Sequence, residues 1–358
     1  MKKLVKFLAL LFALTAASGL FACAPKGSVV EFFYFNSVIH IETHQTTLEQ
    51  STVDKLDALF LSLENSFDCD KQGSFTNRFN AANGGEEVSL SQTEKTVLTL
   101  CSSFYLFTDN LFNPALLPLS TLWQFAPDYP VLNFTPPTDA QIEQVLNSGA
   151  IDFGRVCSSI GENSVVKPSG INLDFGGIVK GYAADQAAKI LQADGHTAGY
   201  VDVGGSSLYL LSVPSLGVRH PDKSGNILSV NLEGQTNLAV STSGDYEKYY
   251  VYQEKTYSHL IDPRTGYPVD TGIRSATIIG APGAFADAVT TAMCACKHVI
   301  GTNENSELLL LTDRVLEIYP DAKIYVVFDD GENKQLLTNE KQGEDFTLLD
   351  QSYSIVSL

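Results

Sequence analysis

The spacing of apolar residues predicts the first elements of the chain. Residues 29–41 form an apolar run rich in β-branched and aromatic side chains, which predicts a first strand. Residues 47–66 repeat apolar positions at helical spacing, which predicts a helix that lays one face on a core. The positions that carry this helical pattern are Val53, Leu56, Phe60 and Leu63.

Further helices are indicated by their start and stop signals. Ser91-x-x-Glu94 is a capping-box pattern that opens an apolar helix toward residue 105, and Thr138-x-x-Gln141 opens another that should close at Gly149. Residues 182–191 and 283–292 are also expected to be helical, and residues 275–279 alternate as a strand. Because no linker-like stretch or fixed repeat interrupts residues 29–358, we expect one elaborated α+β domain.

The first residues have the pattern of an export signal. Lys2, Lys3 and Lys6 precede an apolar run over residues 7–17, followed by Leu20-Phe21-Ala22-Cys23. This resembles a bacterial lipobox, so we expect a signal peptide over residues 1–22, lipidation of Cys23 and a tether over residues 23–28. Ordinary cleavage near Ala22 is the alternative, and a retained membrane helix is disfavoured because the apolar run is short.

The net charge of the chain excludes some classes of binding partner. The chain carries −18 with histidine neutral, and removal of residues 1–22 would change this to −21. Such a surface repels nucleic acid and anionic lipid, so no nucleic-acid partner is expected. It would also repel a pyrophosphate, so phosphate chemistry here requires a local cation.

Cysteine usage gives no disulfide framework. Apart from Cys23, the five cysteines stand at irregular spacing, and the closest pair is too tight for a zinc knuckle. We interpret them mostly as core residues: Cys69, Cys101, Cys157, Cys294 and Cys296.

The segment over residues 172–181 has the composition of an anion site. Gly176-Gly177 precedes Lys180 at the start of a predicted helix, and glycines, free N–H groups, the helix dipole and an ammonium together suit an anion. A glycine-rich packing turn is the alternative. The segment matches neither the Walker pattern nor the dinucleotide fingerprint.

Two other segments offer catalytic side chains. His259 stands beside an Asp-Pro-x-Thr-Gly turn and could act as a general base, although a core histidine is the alternative. Asp287 and Thr291 stand at i and i+4 on a predicted helix, so a carboxylate and a hydroxyl share one face and could reach one hard cation. A carboxylate at a helix start is the alternative for Asp287.

In this order, the segments resemble the ApbE-type FAD:protein FMN transferases. The shared patterns are Asp-x-Gly-Gly-x-x-Lys-Gly-Tyr, Thr-Ser-Gly-Asp-Tyr, Ser-His-x-Ile-Asp-Pro-x-Thr-Gly-x-Pro and Ala-Asp-Ala-x-x-Thr. The resemblance covers about residues 29–328. It departs at Phe35-Asn36-Ser37, where the family has Met-Gly-Thr.

The resemblance implies a mixed α+β fold with tunnelling-fold-like units and assigns site residues. It implies a divalent metal held by the Gly177 carbonyl, Asp287 and Thr291, with Thr290 nearby. It implies a base, His259, that deprotonates the acceptor hydroxyl, and a catalytic Lys180. The implied FAD contacts are Asp174, Lys180, the backbone around Ile261, the flavin-side segment Leu122-Trp123-Gln124, and Phe67 as the stacking aromatic.

The implied reaction is metal-dependent transfer of FMN from FAD to a Thr or Ser hydroxyl through a phosphodiester, with release of AMP. Mg²⁺ is the expected metal and Mn²⁺ the alternative. The expected partners are FAD, an exported acceptor such as a subunit of a flavin-based electron-transfer chain, and the membrane through the lipid anchor.

Rival interpretations use the same residues. With water as the acceptor, the site would be an FAD pyrophosphatase that yields FMN and AMP. A flavin-binding lipoprotein without catalysis is a second alternative, including self-modification within residues 270–277, which we disfavour because Thr277 falls in a predicted strand. A structural adhesin is the third.

Overall fold

The computed structural model describes residues 27–126, 131–222, 224–298 and 306–358. Its strands are β1 (Ser28–Tyr34), β2 (Ser37–Thr43), β3 (Glu87–Ser89), β4 (Ser164–Val166), β5 (Gly199–Val203), β6 (Ser207–Ser212), β7 (Ser215–Arg219), β8 (Asn226–Asn231), β9 (Leu238–Gly244), β10 (Tyr249–Tyr252), β11 (Lys255–Ser258), β12 (Ile273–Ile279), β13 (Lys323–Asp329), β14 (Lys334–Thr338), β15 (Phe346–Leu348) and β16 (Ser354–Ser357). Its helices are α1 (Gln50–Phe67), α2 (Phe75–Ala81), α3 (Gln92–Phe107), α4 (Leu117–Leu122), α5 (Asp139–Asn147), α6 (Gly154–Cys157), α7 (Val179–Ala193), α8 (Gly283–Cys294) and α9 (Glu307–Ile318).

A nine-stranded sheet organises the protein in the order β1-β2-β5-β6-β9-β12-β13-β14-β16. Its neighbouring strands pair antiparallel except β14 and β16, which pair parallel. Both the first and the last strand of the described chain belong to this sheet. The protein is therefore a single α+β domain, as the sequence predicts.

The first predicted strand is instead a hairpin, so the prediction of one strand over residues 29–41 is wrong. β1 and β2 pair from Ser28↔Thr43 to Tyr34↔Ser37. Between them, Phe35 and Asn36 take φ values of 55° and 53°, the left-handed conformation that a tight two-residue hairpin turn requires. Phe35 is apolar, so the hydrophobic run continues into the turn and is interrupted only at Asn36 and Ser37.

The predicted helices are confirmed, with small shifts at their ends. Both capping boxes are formed, at Ser91 and at Thr138. Helix α5 ends at Asn147, two residues before the predicted Gly149. Helix α7 begins at Val179, three residues before the predicted start, so Lys180 lies in its first turn.

Two cores lie on opposite faces of the sheet. The larger core packs α1, α3, α7 and α8 against one face and includes Ile278 of β12. The smaller core lies between the other face and the three-stranded sheet β15-β8-β7, and includes the next residue, Ile279. This alternation is the two-residue period of a strand that is buried on both faces.

Three smaller predictions concern buried side chains. All five described cysteines are free, and Cys101, Cys294 and Cys296 are buried. Thr277 is 1% exposed and pairs with Tyr325 of β13, which agrees with its predicted place in a strand. Within the described ranges, no helix combines the length and apolar character needed to cross a membrane.

Candidate active site

Helices α7 and α8 meet at their N-termini, and each supplies a carboxylate that accepts hydrogen bonds from free N–H groups at the start of the other helix. Asp185 of α7 accepts hydrogen bonds from the Gly283 and Ala284 N–H groups, at 2.9 and 3.2 Å. Asp287 of α8 accepts one from the Gly181 N–H, at 3.0 Å. Both carboxylates thus lie at the positive end of a helix dipole, where negative charge is stabilised.

The Asp287 carboxylate is buried, with 4% of the residue exposed. Its second oxygen accepts a hydrogen bond from Ser241 Oγ at 3.3 Å. Burial raises the pKa of Asp287, and the nearby Lys180 ammonium opposes that rise. A buried carboxylate with this environment favours a cation, because a cation would offset the loss of solvent.

Three hydroxyl groups add possible oxygen ligands for a cation to the Asp287 carboxylate. Ser243 Oγ lies 2.9 Å from Thr290 Oγ1 and 3.2 Å from Thr291 Oγ1. Thr290 is fully buried, whereas Thr291 retains some exposure and donates to the Asp287 carbonyl at 3.0 Å. A Cβ added to Gly177 would lie 3.7 Å from Thr291 Oγ1, so the glycine pair approaches this hydroxyl closely.

These donors fit a hard divalent cation. The Ser243, Thr290 and Thr291 hydroxyls form one group beside Gly177, and Asp287 lies one turn before Thr291 on α8. Mg²⁺ prefers carboxylate and hydroxyl oxygens of this kind. The structure brings together Gly177, Asp287, Thr290 and Thr291, which the resemblance had grouped. Their role as metal ligands stays a prediction.

Lys180 extends from the first turn of α7 toward the turn between β5 and β6. A Cβ added to Gly204, which has a φ of 71°, would lie 3.7 Å from Lys180 Cδ and 3.0 Å from Ser37 Oγ. The hairpin of β1 and β2 therefore reaches the site at Ser37, where the chain departs from the family pattern. Asp174 lies on the glycine-rich turn and accepts a hydrogen bond from the Gly176 N–H at 2.7 Å.

His259 follows β11, and the positive charges of Lys248 and Lys180 act on its imidazole. Its Nδ1 lies 3.1 Å from the Lys248 carbonyl oxygen, so Nδ1 carries the proton and Nε2 has a free lone pair. Burial, then Lys248, and more weakly Lys180, lower the pKa of His259 to about 3. The imidazole is therefore neutral at pH 7, which is the form a general base requires.

The predicted flavin-side residues lie around the Asp-Pro-x-Thr-Gly turn. Ile261 is 7% exposed and bridges to Pro268 across that turn. Trp123 is 1% exposed, and its indole N–H donates to the Gly266 carbonyl at 2.7 Å. Through this hydrogen bond Trp123 stabilises the Asp-Pro-x-Thr-Gly turn. Its contact with FAD stays a prediction.

Other predicted residues are spread more widely. Leu122 ends α4, and Gln124 has a φ of 63° and accepts a hydrogen bond at its carbonyl from the Tyr250 hydroxyl. Phe67 is 5% exposed and packs edge-on against Phe175, 5.2 Å between ring centroids. The stacking role of Phe67 stays a prediction. The signal peptide and Cys23 lie outside the described residues.

Sequence reasoning missed four residues that the fold brings to the site. Ser241 and Ser243 stand at i and i+2 on β9 and both face α8, a pattern visible in Ser-Thr-Ser-Gly once the strand is assigned. Asp185 faces the start of α8 from the second turn of α7. Lys248 lies across the β10–β11 ribbon from His259, and sequence spacing carried no signal for this pair.

The fold and site define a class: a single-domain α+β protein with oxygen ligands and Lys180 at the start of one helix, suited to chemistry on phosphate esters. The model of the ApbE family matches residues 35–308. Because the match covers most of the chain, this protein belongs to the ApbE family.

Similar proteins agree with this assignment. The chain is 26% identical over 279 residues to the FAD:protein FMN transferase of Klebsiella pneumoniae, covering 77% of this chain and 81% of that protein. It is 28% identical to the FAD:protein FMN transferase of Salmonella typhimurium, covering 67% and 68% of the two chains. The crystal structure of the ApbE protein of Thermotoga maritima superposes with a TM-score of 0.71 at 25% identity, covering 85% of this chain and 94% of that one. The flavin transferase ApbE of Vibrio cholerae shares the fold, with a TM-score of 0.69 at 20% identity over 90% and 96% of the chains.

Proposed function

We propose that this enzyme is an FAD:protein FMN transferase that moves FMN onto a Thr or Ser hydroxyl of an acceptor protein. The activity agrees with the family and with the relatives that bear this name. The observation that carries the finer proposal is the buried Asp287 carboxylate at the start of α7, where Lys180 lies in the first turn. The hydrogen-bonded hydroxyls of Ser243 and Thr291 lie beside Gly177 just before that helix.

Gly177, Asp287 and Thr291 would hold Mg²⁺, and Mn²⁺ would fit the same oxygens. When bound, the metal would neutralise negative charge on the pyrophosphate as the bond to AMP breaks. Asp287 would lose part of its desolvation cost, and Ser243 would keep the Thr291 hydroxyl turned toward the site.

The proposed transfer balances as follows. The acceptor oxygen attacks the phosphorus of the FMN half, and its proton moves to Nε2 of His259. The pyrophosphate P–O bond breaks, and AMP leaves with that electron pair. The product is a phosphodiester between FMN and the acceptor side chain.

The depressed pKa of His259 is compatible with this role. In the unliganded protein, Lys248 and Lys180 both repel a proton on the imidazole. A bound pyrophosphate would cancel much of that repulsion, so the pKa would rise toward the range in which a base works best.

The test is mass spectrometry of an acceptor domain carrying an Asp-x-x-Ser-Gly-Ala-Thr loop after incubation with the enzyme, FAD and Mg²⁺. We expect the acceptor to gain one FMN, with AMP in equal amount, and no gain with EDTA. Free FMN and AMP without a modified acceptor would support the pyrophosphatase instead. A candidate acceptor is an exported subunit of a flavin-based electron-transfer chain.

For the cellular location, we propose an extracytoplasmic enzyme anchored to the bacterial membrane through lipid on Cys23. The supporting observation is the sequence pattern of residues 1–23. Metabolic labelling with an alkyne fatty acid should mark the full chain but not its Cys23→Ala variant. Labelling that survives the substitution would refute the anchor.

A further inference from the structure

His259 stands at the foot of a hairpin over residues 259–271, which we call the His259 hairpin. The two arms are joined where the Val269 N–H donates to the Leu260 carbonyl at 2.8 Å, and a β-bridge follows one residue further toward the tip. Because His259 adjoins the first of these bonds, the position of its imidazole depends on where the hairpin is held against the rest of the protein.

Arg264 lies at the tip of the His259 hairpin and binds three groups at once. Its Nε donates to both oxygens of Asp262, at 2.9 and 3.2 Å, and Nη2 donates to one of them at 2.8 Å. Nη1 donates to both oxygens of Glu307 at 2.7 Å, and Nη2 also donates to the Ala295 carbonyl at 2.7 Å. Every nitrogen of the guanidinium thus has an acceptor, so we interpret Arg264 as a link between segments of the protein.

The first segment that Arg264 reaches is the end of α8. Ala295 is the C-terminal cap of that helix and stands four residues after Thr291. A second bond of the same hairpin reaches the same place, since the Thr271 hydroxyl donates to the Cys294 carbonyl at 2.9 Å. Carbonyls at a helix C-terminus lack partners within the helix, and a cation there is stabilised by the helix dipole. The His259 hairpin is therefore docked on the helix that carries Asp287 and Thr291.

The second segment is the start of α9, where Glu307 is the first residue. Its carboxylate also accepts a hydrogen bond from the Lys297 N–H at 2.9 Å, which ties it to the chain just after α8. Asp262, the partner within the hairpin, is 8% exposed, so its pair with Arg264 is screened by solvent less than a surface pair is. Planar forked contacts of this kind fix the orientation of both partners.

We infer that Arg264 is a positioning residue that holds His259 in place relative to the helix bearing Asp287 and Thr291, an inference that rests on the proposed function. In the pattern Asp-Pro-x-Thr-Gly this residue occupies the unspecified position. Loss of the link would let the His259 hairpin shift on α8 while the proposed metal ligands keep their own contacts.

The test compares Arg264→Gln and Arg264→Lys with a control, Arg314→Gln. Arg314 lies on α9, has 36% of its side chain exposed against 35% for Arg264, and pairs with Asp109 at 2.8 Å. The control therefore removes a guanidinium and an ion pair of the same kind, but one whose partner lies outside the His259 hairpin. All assays are run at a temperature at which circular dichroism shows every variant folded.

The first readout is a split between turnover and metal affinity. We expect Arg264→Gln to lower kcat for FMN transfer by about tenfold to a hundredfold, because a misplacement of about 1 Å can cost about a hundredfold in rate. Mn²⁺ affinity, measured by electron paramagnetic resonance, should stay within twofold of the wild type, because Arg264 binds the end of α8 and not the proposed ligands. Arg264→Lys should lie in between, because lysine keeps the charge but lacks the fork, and Arg314→Gln should match the wild type.

Two results would overturn the inference. One is a wild-type kcat in Arg264→Gln, and the other is a fall in kcat accompanied by an equal fall in Mn²⁺ affinity. If Arg264→Gln does not fold, Arg264→Lys and Glu307→Gln carry the test, because the second weakens the link from α9 and leaves the hairpin sequence intact. Both should lower kcat, and wild-type kcat in both would overturn the inference.

The second readout needs neither metal nor FAD. Hydrogen exchange followed by mass spectrometry should show residues 259–271 exchanging about tenfold faster in Arg264→Gln, the effect of losing one charged hydrogen bond. Residues 283–291, in the first turns of α8, should exchange as in the wild type. Faster exchange spread over the whole described chain, or none in the hairpin, would refute the positioning role.

The two proposals fail differently. If the wild type transfers no FMN, the proposed function fails, and hydrogen exchange still decides whether Arg264 docks the His259 hairpin. If the wild type transfers FMN and Arg264→Gln does so with equal kcat, the Arg264 inference fails alone.

Discussion

Substitution of Gly181 by alanine tests whether the contact between α7 and α8 sets the geometry of the site. A Cβ at residue 181 would lie 2.1 Å from the Gly283 carbonyl oxygen and 2.9 Å from Asp287 Cβ. Raising the first distance to 3.0 Å requires a displacement of about 0.9 Å between two helix backbones. Backbone atoms cannot rotate away as a flexible side chain can, so the helices must move apart.

Two effects should follow from Gly181→Ala. Overpacking of this kind costs about 1–3 kcal/mol, which corresponds to a fall in Tm of about 1–4 °C for a domain of this size. The same displacement lengthens the 3.0 Å hydrogen bond from the Gly181 N–H to Asp287, and a misplacement of about 1 Å can cost about a hundredfold in rate.

The assays are calorimetry for Tm, electron paramagnetic resonance of Mn²⁺ for metal affinity, and FMN transfer for activity. Gly154→Ala is the control, because its added Cβ would meet first a flexible side-chain atom, Asp152 Oδ1, at 3.1 Å. The control should be neutral or slightly stabilised. A Gly181→Ala protein with wild-type Tm and wild-type Mn²⁺ affinity would refute the reasoning.

Three further predictions concern single side chains. Asp287→Ala should abolish Mn²⁺ binding and turnover; undiminished Mg²⁺-dependent activity would sink the metal assignment. His259→Ala should keep its FAD affinity, and its kcat should fall by a factor of about 10²–10⁴. In the wild type, kcat/KM should not fall with decreasing pH above pH 5, because the pKa of His259 is about 3. A fall in kcat/KM centred near pH 6.5 would contradict this. Ser243→Ala should weaken Mn²⁺ binding about tenfold to a hundredfold, because Thr291 loses its contact with Ser243, while Tm should change little. Equal Mn²⁺ affinity in the variant and the wild type would show that Ser243 does not orient Thr291.

The pKa of His259 also gives stability a pH dependence with a definite sign. The folded pKa is lowered to about 3, below the value of about 6.5 for an unperturbed histidine. The unfolded chain therefore binds the proton more tightly, so this histidine reduces stability progressively as pH falls below about 6.5. Relative to His259→Ala, the wild type should lose unfolding free energy between pH 6.5 and pH 4.5, as measured by urea denaturation.

The local elements of this fold were accessible from the sequence. The capping boxes at Ser91 and Thr138, the helical period of α1 and the β-branched run of β12 each lie within a few neighbouring residues. The chain at the β1–β2 turn was misjudged because apolar Phe35 continues the strand pattern, while the left-handed backbone that reverses the chain leaves no hydrophobic signature.

The residues of the site were also accessible from the sequence only where they form short local patterns. The sequence by itself determined that a glycine pair, Lys180, His259 and the Asp287–Thr291 pair exist, because each is a short pattern with its own chemistry. Only the tertiary structure decided that Asp287 binds the Gly181 N–H, that two serines of β9 face α8, and that Lys248 lies opposite His259. These contacts depend on strand order, strand register and the close approach of two helices at glycine, which arise when distant segments bury a common core. A periodic pattern records which face of a segment is buried, but it does not record which segment covers that face.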